Sequence, residues 1–511
     1  MHCYSNDGRR PEPRSTVLTR PRTLVWLSAL ASFAIAGCSQ HADELELNPA
    51  AFAPPAVERE WAPARGAGAL IGSAAEAAAL SDMPASEQHR RVGLPELISF
   101  ALANNPETRG TWESAEAAAA AAAKARAPYY PTISAGSDDG YQRLIDLVPK
   151  HWGTLKTWQS RNLLALNYDL IDFGRGPQAA SALNQMVAAN LLFNRRIQEV
   201  VFNVERSFYQ LAAQRANVAA AQATVKLATT DRTNAERRQH NGLATQPDVL
   251  LARQREAQAE FDLENARLGV SFAQADLAVA LGVRADRAPE VEELGDQPLP
   301  KSLDAHVEQL IEAAMRERPD LAAKVSVLRA RQADVELARA SFYPTVALTS
   351  FYGEQAFSYR LSLPKTPTFN AAGPEYGAGL TLKWDVFTGF SRNNSVKQAR
   401  AERDAASAEL KSAELDVAAN VWRAYFSYLT ARRKYDYAQA LLTASRSSYN
   451  SNLKSYGHGL ATIIDLLSAE RELAAARFTI IQSKAELLIS TAAVSFATGA
   501  IPPEAAPTAN P

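Results

Sequence analysis

Gly242-Leu243-Ala244-Thr245-Gln246-Pro247-Asp248-Val249-Leu250 is answered 217 residues later by Gly459-Leu460-Ala461-Thr462-Ile463-Ile464-Asp465-Leu466-Leu467. Each stretch opens on turn residues and closes on an apolar run, which marks a reversal of the chain before a helix. Working outward, other blocks echo in the same order. Ala125-Arg126-Ala127-Pro128-Tyr129-Tyr130-Pro131-Thr132-Ile133 matches Ala338-Arg339-Ala340-Ser341-Phe342-Tyr343-Pro344-Thr345-Val346. Leu166-Asn167-Tyr168-Asp169 matches Leu382-Lys383-Trp384-Asp385, and the Val204–Tyr209 block matches Val421–Phe426. Leu281-Gly282 matches Thr498-Gly499. The offsets are 213, 216, 217, 217 and 217, so order and spacing are both kept. Chance similarity between Ala-rich helices does not reproduce Tyr-Pro and Gly-containing blocks in register. The chain is written twice.

Each copy has one grammar. A helix comes first, over about 95–127 and 304–340, broken by Pro106 and Pro319, because an interior Pro costs roughly 3 kcal/mol. A strand pair follows, over 129–142 and 157–173, then over 342–363 and 375–388. Tyr376, Ala378, Leu380, Leu382, Trp384 and Val386 alternate with Gly377, Gly379, Thr381, Lys383 and Asp385. Period two puts these sets on opposite faces. The apolar set, with aromatics towards its ends, reads as a lipid-facing barrel strand of about ten residues. A half-buried strand of a soluble sandwich has the same alternation. Next comes a helix with no Pro or Gly from Gln178 to His240, spanning roughly 95 Å. Ile197, Val201, Val204, Phe208, Leu211, Val218 and Val225 form a heptad seam along it. The second copy runs 394–456, with Val421, Tyr425 and Tyr428 in matching places. After each turn an antiparallel helix returns, over about 246–282 and 463–499.

The chain has 511 residues, 47% hydrophobic, with 54 Lys+Arg against 55 Asp+Glu. That near-neutrality argues against a nucleic-acid binder. Two cysteines exclude a disulfide framework and multi-Cys zinc motifs. Arg9, Arg10, Arg14, Arg20 and Arg22 precede an apolar run over 24–36, the layout of a secretory signal. The run ends Ile35-Ala36-Gly37-Cys38-Ser39, which resembles a bacterial lipobox. That resemblance implies cleavage before Cys38, lipid (palmitate) on Cys38, and export to the outer membrane with Ser39 following. An ordinary signal with a chance Cys is the alternative. Removing 1–37 takes away five Arg, Asp7 and Glu12, leaving a net charge of −4. The reading divides the chain into a signal with lipobox (1–37), a lipidated Ala/Pro/Gly-rich linker (38–92), a first repeat (93–282), an inter-repeat linker (283–303), a second repeat (304–499) and a disordered tail (500–511).

Four strands cannot close a barrel, and open edges in hydrocarbon leave backbone groups unpaired at several kcal/mol each. Several chains must share one barrel. The duplicated pattern resembles the outer-membrane efflux protein family typified by TolC, in its lipoprotein branch, over about residues 92–499. The residues that carry the resemblance are Asn105-Pro106, Arg318-Pro319, the Tyr-Pro strand starts, Tyr168-Asp169, Trp384-Asp385 and the two turns. The resemblance implies a mainly α fold with β: a homotrimer with a twelve-stranded membrane barrel and a long periplasmic α-barrel. It implies a passive export duct in the outer membrane, working with a periplasmic adaptor and an inner-membrane pump. Drugs, metal ions and polypeptides all use such ducts.

The resemblance also assigns sites. Asp465, its first-repeat equivalent Asp248, and Tyr456 match the family's periplasmic entrance. Three copies of Asp465 around an axis would repel, favouring hydration, cation binding or a raised pKa. The plainer role for both Asp residues is helix capping. Gly242, Leu243, Ala244 and Gly459, Leu460, Ala461 match the tip where an adaptor docks, although turn chemistry alone accounts for the glycines. Tyr376, Leu380, Leu382 and Trp384 are the lipid-facing strand. The family latch also uses an Arg two residues after the second turn's Gly and a further Asp. Here Ala461 and Ser468 stand in those places, which leaves an acidic ring, with contacts from Leu460 or Leu243, to shut the pore. The seven histidines are scattered. No HExxH, Walker A or dinucleotide fingerprint occurs, and Asp138-Asp139-Gly140 reads as a strand-end turn. No catalytic, metal or cofactor site is expected. A periplasmic adaptor, or a lipid-anchored coiled-coil scaffold, is the alternative reading; neither accounts for the duplicated strands.

Overall fold

The computed structural model describes residues 91–148, 151–287, 289–300, 306–361 and 366–500. In chain order these form β1 (Arg91–Val92), α1 (Leu94–Asn104), α2 (Pro106–Lys124), β2 (Thr132–Val148), β3 (His151–Ile171), α3 (Arg175–His240) and α4 (Gln246–Leu281). After them come β4 (Glu290–Val291), α5 (Val307–Glu317), α6 (Pro319–Ala340), β5 (Thr345–Leu361), β6 (Phe369–Lys383), α7 (Ser391–Gly457) and α8 (Ile463–Thr498). The signal, Cys38 and most of the proposed linker lie outside the described residues, as does the tail from 501 on.

β2, β3, β5 and β6 form one antiparallel sheet in that order. β2 and β6 are its edges. Leu164, Tyr352 and Tyr376 lie directly opposite one another across three strands, as do Leu348 and Leu380. Period two carries them, with Ile133 and Leu382, onto one face, where Ile133, Tyr376 and Leu380 are 72%, 75% and 68% exposed. The other face bears Gly136, Gly140, Gly353, Gly377 and Gly379. There Arg161 of β3 reaches across β5 to Glu375 of β6 in a two-pronged ion pair (Nε–Oε2 2.9 Å, Nη2–Oε1 2.6 Å).

The strands depart from their expected bounds. They run 15 to 21 residues, longer than the apolar band they present. β6 begins at Phe369, so Tyr376 sits at its middle rather than near an end. Pro374 stands in β6, an edge strand of the single chain's sheet. Trp384 and Val386 fall past the last strand residue; the Trp384 indole Nε1 donates to the Phe342 carbonyl at 3.1 Å. Asp138-Asp139-Gly140 is not a turn. It lies inside β2, paired with Arg161, Ser160 and Gln159.

α3 and α7 have 66 and 67 residues, so each is roughly 100 Å long. Their returning partners α4 and α8 have 36 each. The four pack chiefly in the order α4–α3–α8–α7. At the level of α1, Leu97, Ile98, Val201, Val204, Phe208, Leu211, Leu277 and Leu281 form the largest buried cluster. Val291 and Leu294 join it, so the inter-repeat segment is part of the core, and β4 pairs in parallel with β1. Val417, Val421, Tyr428, Leu487 and Val494 occupy matching places in the second copy. Further along α3 the seam differs from the one expected. Val218 and Val225 are only half-buried, while Asn217, Thr224, Ala228, Asp231 and Ala235 are buried. An apolar-only search passes over that stripe, because its residues are small or polar.

The two helix breaks dock on the two return helices. Asn105 caps α2, accepting from Glu107 N (2.8 Å), and its amide Nδ2 donates to the Ala280 carbonyl (2.9 Å). Pro106 is the first residue of α2, where its missing N–H costs nothing. In the second copy Arg318 Nη1 donates to the Ala497 carbonyl at 3.2 Å. Gly282 and Gly499 end α4 and α8 against these breaks. A Cβ on Gly282 would lie 2.9 Å from Pro106 Cδ, and one on Gly499 3.1 Å from Arg318 Cα.

Candidate functional site

Both hairpin tips are built the same way. Gly242 (φ +74°) and Gly459 (φ +73°) adopt the left-handed conformation that ends a helix. Gly242 N donates to Gln239 O (2.9 Å) and Leu243 N to Arg238 O (2.8 Å). Gly459 N donates to Tyr456 O (3.1 Å) and Leu460 N to Ser455 O (2.8 Å). These pairs satisfy the last carbonyls of α3 and α7 in a Schellman arrangement. The return helix then starts at once. Thr245 and Thr462 are the caps, and the Asp three residues on reaches back. Asp248 Oδ2 accepts from Thr245 N and Oγ1, both at 2.8 Å. Asp465 Oδ2 accepts from Thr462 N (2.9 Å) and Oγ1 (2.6 Å), while Asp465 N donates to Thr462 Oγ1 (3.2 Å).

The caps change the reading of Asp465. The Thr462 hydroxyl and amide hold its carboxyl below the usual carboxylate range. The repulsion expected of three converging copies does not arise within one chain, where the cap alone sets the direction. Capping accounts for both Asp residues here. Leu243 and Leu460 project from the tips, 66% and 83% exposed, with Ala244 and Ala461 half-buried behind them.

Tyr456 does not stand free at the tip. It is buried among Ile463, Leu466 and Leu473, and its hydroxyl finds no hydrogen-bond partner among the described residues. Burial pushes that hydroxyl's pKa up. Arg238, in the last turn of α3, stacks over its ring (4.7 Å to the centroid) and donates through Nη1 to the carbonyls of Tyr456 (3.2 Å) and Gly457 (3.4 Å). An Arg of the first repeat thus caps the long helix of the second. Sequence reasoning looked for the fastening residue at Ala461 and missed it. The available signal was a basic residue in the final turn of a helix.

A second polar group was also missed: Asp231 of α3, Tyr449 of α7, Glu470 of α8 and Arg255 of α4 meet inside the bundle. Beside them a groove of about 1000 Å³ runs between α3, α4 and α8, lined by Asn217, Thr224, Gln258, Arg471 and Phe478 among others. Among the described residues no group of three or more His, Cys, Asp or Glu could hold a metal. Among them, too, no helix is long and apolar enough to cross a membrane.

Long paired helices, tips capped alike and a sheet with one exposed apolar face define a duplicated helix-and-sheet fold. The outer membrane efflux protein family model matches residues 97–283 and 310–500, one block per repeat. The chain belongs to that family. It is 29% identical to protein CyaE of Bordetella pertussis over 419 residues, covering 80% of this chain and 84% of that one. It is 24% identical to outer membrane protein OprJ of Pseudomonas aeruginosa over 391 residues, 74% and 78% of the two chains. A crystal structure of a membrane protein from Pseudomonas aeruginosa superposes with a TM-score of 0.69 at 24% identity, covering 80% of this chain and 93% of that one.

Proposed function

We propose that this chain is the outer-membrane channel subunit of a tripartite export machine, a passive homotrimeric duct fed by an adaptor and a pump. The observation that carries the reading is that the chain ends in two unlike edges at both levels. The sheet stops at β2 on one side and β6 on the other. The helices stop at α4 and α7, each with an exposed apolar stripe. On α4 it is Leu250, Phe261, Leu268, Phe272 and Val279; on α7 it is Leu415, Trp422, Phe426 and Tyr437. Their spacings of 4, 7 and 11 keep each stripe on one helical face. Unlike edges join head to tail, and such contacts close into a ring when the rotation from copy to copy completes a full turn. Three copies give twelve strands with every neighbour antiparallel, an even count within the range of outer-membrane barrels.

In that ring Asp465 and Asp248 approach the axis as the entrance, and Leu243, Ala244, Leu460 and Ala461 face the adaptor. The low proton affinity of Asp465 supports a charged, cation-attracting ring. Cys38 holds the lipid anchor. The test is membrane fractionation followed by planar-bilayer recording of the purified chain. A heat-modifiable oligomer in the outer-membrane fraction that conducts ions supports the duct. A periplasmic species, or a membrane species that never conducts, overturns it in favour of an adaptor or scaffold.

A further inference from the structure

Above the tip the bundle buries charge that neither the caps nor the duct explain. Asp231 and Glu470 are each 1% exposed, and Tyr449 is 5% exposed. The Tyr449 hydroxyl donates to Asp231 Oδ2 at 3.3 Å. Arg255 Nε lies 3.3 Å from Glu470 Oε1. Asp231 Oδ1, Glu470 Oε2 and Arg477 Nη1 find no hydrogen-bond partner among the described residues. The layer joins α3 and α4 of the first repeat to α7 and α8 of the second. It is not part of the repeat grammar. The positions 217 residues before Glu470 and Arg477 hold Arg253 and Glu260, of opposite charge and exposed.

We propose that this layer is a proton-operated clamp: with Asp231 and Glu470 protonated the two hairpins pack closed along it, and their ionisation loosens the same seam. An ionised carboxylate held dry is costly unless fully paired, and a protonated one needs fewer partners. Asp231 is faced by Tyr449 from α7 and by Glu470 from α8. Glu470 is faced by Arg255 from α4, Asp231 from α3 and Arg477 on its own helix. Arg477 is in turn faced by Arg446 from α7. Burial raises Asp231 from 3.8 to about 6, against the Tyr449 hydrogen bond. Burial raises Glu470 from 4.5 to about 7; Arg255 opposes this and the Asp231 charge adds to it. Burial also pushes Tyr449 up, so it remains a neutral donor. Arg255 lines the open groove, which gives protons a short path to the layer.

Both folded-state values are raised. The stabilisation they bring is therefore complete below about pH 4 and is lost as pH rises through 6 to 7. The two carboxyls interact and titrate as a pair. Their combined ionisation shifts the equilibrium from packed to loosened by roughly 100-fold or more.

The test is hydrogen exchange of the full chain in detergent from pH 5 to 8, corrected for the intrinsic pH dependence of exchange. Protection of the α7 and α8 amides flanking Tyr449 and Glu470 should fall roughly 100-fold across that range. Asp231→Asn and Glu470→Gln should flatten the fall. Tyr449→Phe, which removes the donor that stabilises ionised Asp231, should move it to higher pH. A flat wild-type profile, or the same fall in both neutral variants, overturns the proposal. Should a variant not assemble, infrared absorption of wild-type carboxylic acid at pH 6 decides: a protonated band supports the clamp and its absence refutes it. None of these readouts needs a conducting pore, so they stand apart from the duct reading.

Discussion

Gly282→Ala adds one methyl group where the first repeat is locked shut. Gly282 has φ +75°, and its new Cβ would lie 2.9 Å from Pro106 Cδ and 3.0 Å from Asn105 Cα. Gly242 has nearly the same φ, +74°, with nothing within 4 Å of a Cβ. The pair separates backbone strain from packing. The left-handed conformation costs a non-glycine residue roughly 1–2 kcal/mol, which is all that Gly242→Ala should show. Overpacking adds roughly 1–3 kcal/mol at Gly282, for a total of about 2–5 kcal/mol. Local hydrogen exchange reads this directly. Amides at the α1–α2 break and at the end of α4 should exchange roughly 30- to 4000-fold faster in Gly282→Ala, at about 1.4 kcal/mol per tenfold. Gly242→Ala should accelerate exchange only at its own tip, and by no more than about 30-fold. Equal effects from the two substitutions would refute the docking of break on return helix.

Phe208→Ala, in the largest buried cluster, should destabilise the helical region by about 3–5 kcal/mol in chemical denaturation, whereas exposed Phe261→Ala should leave the single chain nearly unchanged. Asp465→Ala should remove the reach-back hydrogen bonds to Thr462 and fray the first turn of α8, and also reduce cation selectivity in bilayers. The Asp465 carboxyl is held low, so its contribution is present above the usual value of 3.8 and lost as pH falls below it. Wild-type selectivity should therefore persist at pH 5, and unchanged selectivity in the variant would end the acidic-ring reading. Cys38→Ala should abolish palmitate incorporation in cells while Cys3→Ala leaves it intact; labelling that survives Cys38→Ala would remove the anchor.

The repeat, the breaks at Pro106 and Pro319 and the tip glycines were legible because each is a local rule about φ or a missing N–H. Lipid-facing alternation was legible for the same reason, although β6 starts earlier and stops sooner than its pattern suggested. What escaped was set by partners far away in sequence. Arg238 meets the Tyr456 carbonyl 218 residues on, and Tyr449 meets Asp231 218 residues back. Asp231 sits on a buried stripe that a search for apolar residues reads as an exposed face. Tyr456, by contrast, is buried by residues just beyond its own turn, Ile463 and Leu466, while Arg238 over its ring comes from the other repeat.

In the proposed channel, unlike edges join head to tail until the ring closes. Native mass spectrometry of the intact chain, released from detergent after extraction from the outer membrane, tests it most directly. The expected result is a mass of three copies that collapses to one on boiling. A monomer, or an even-numbered assembly without a trimer, would contradict it.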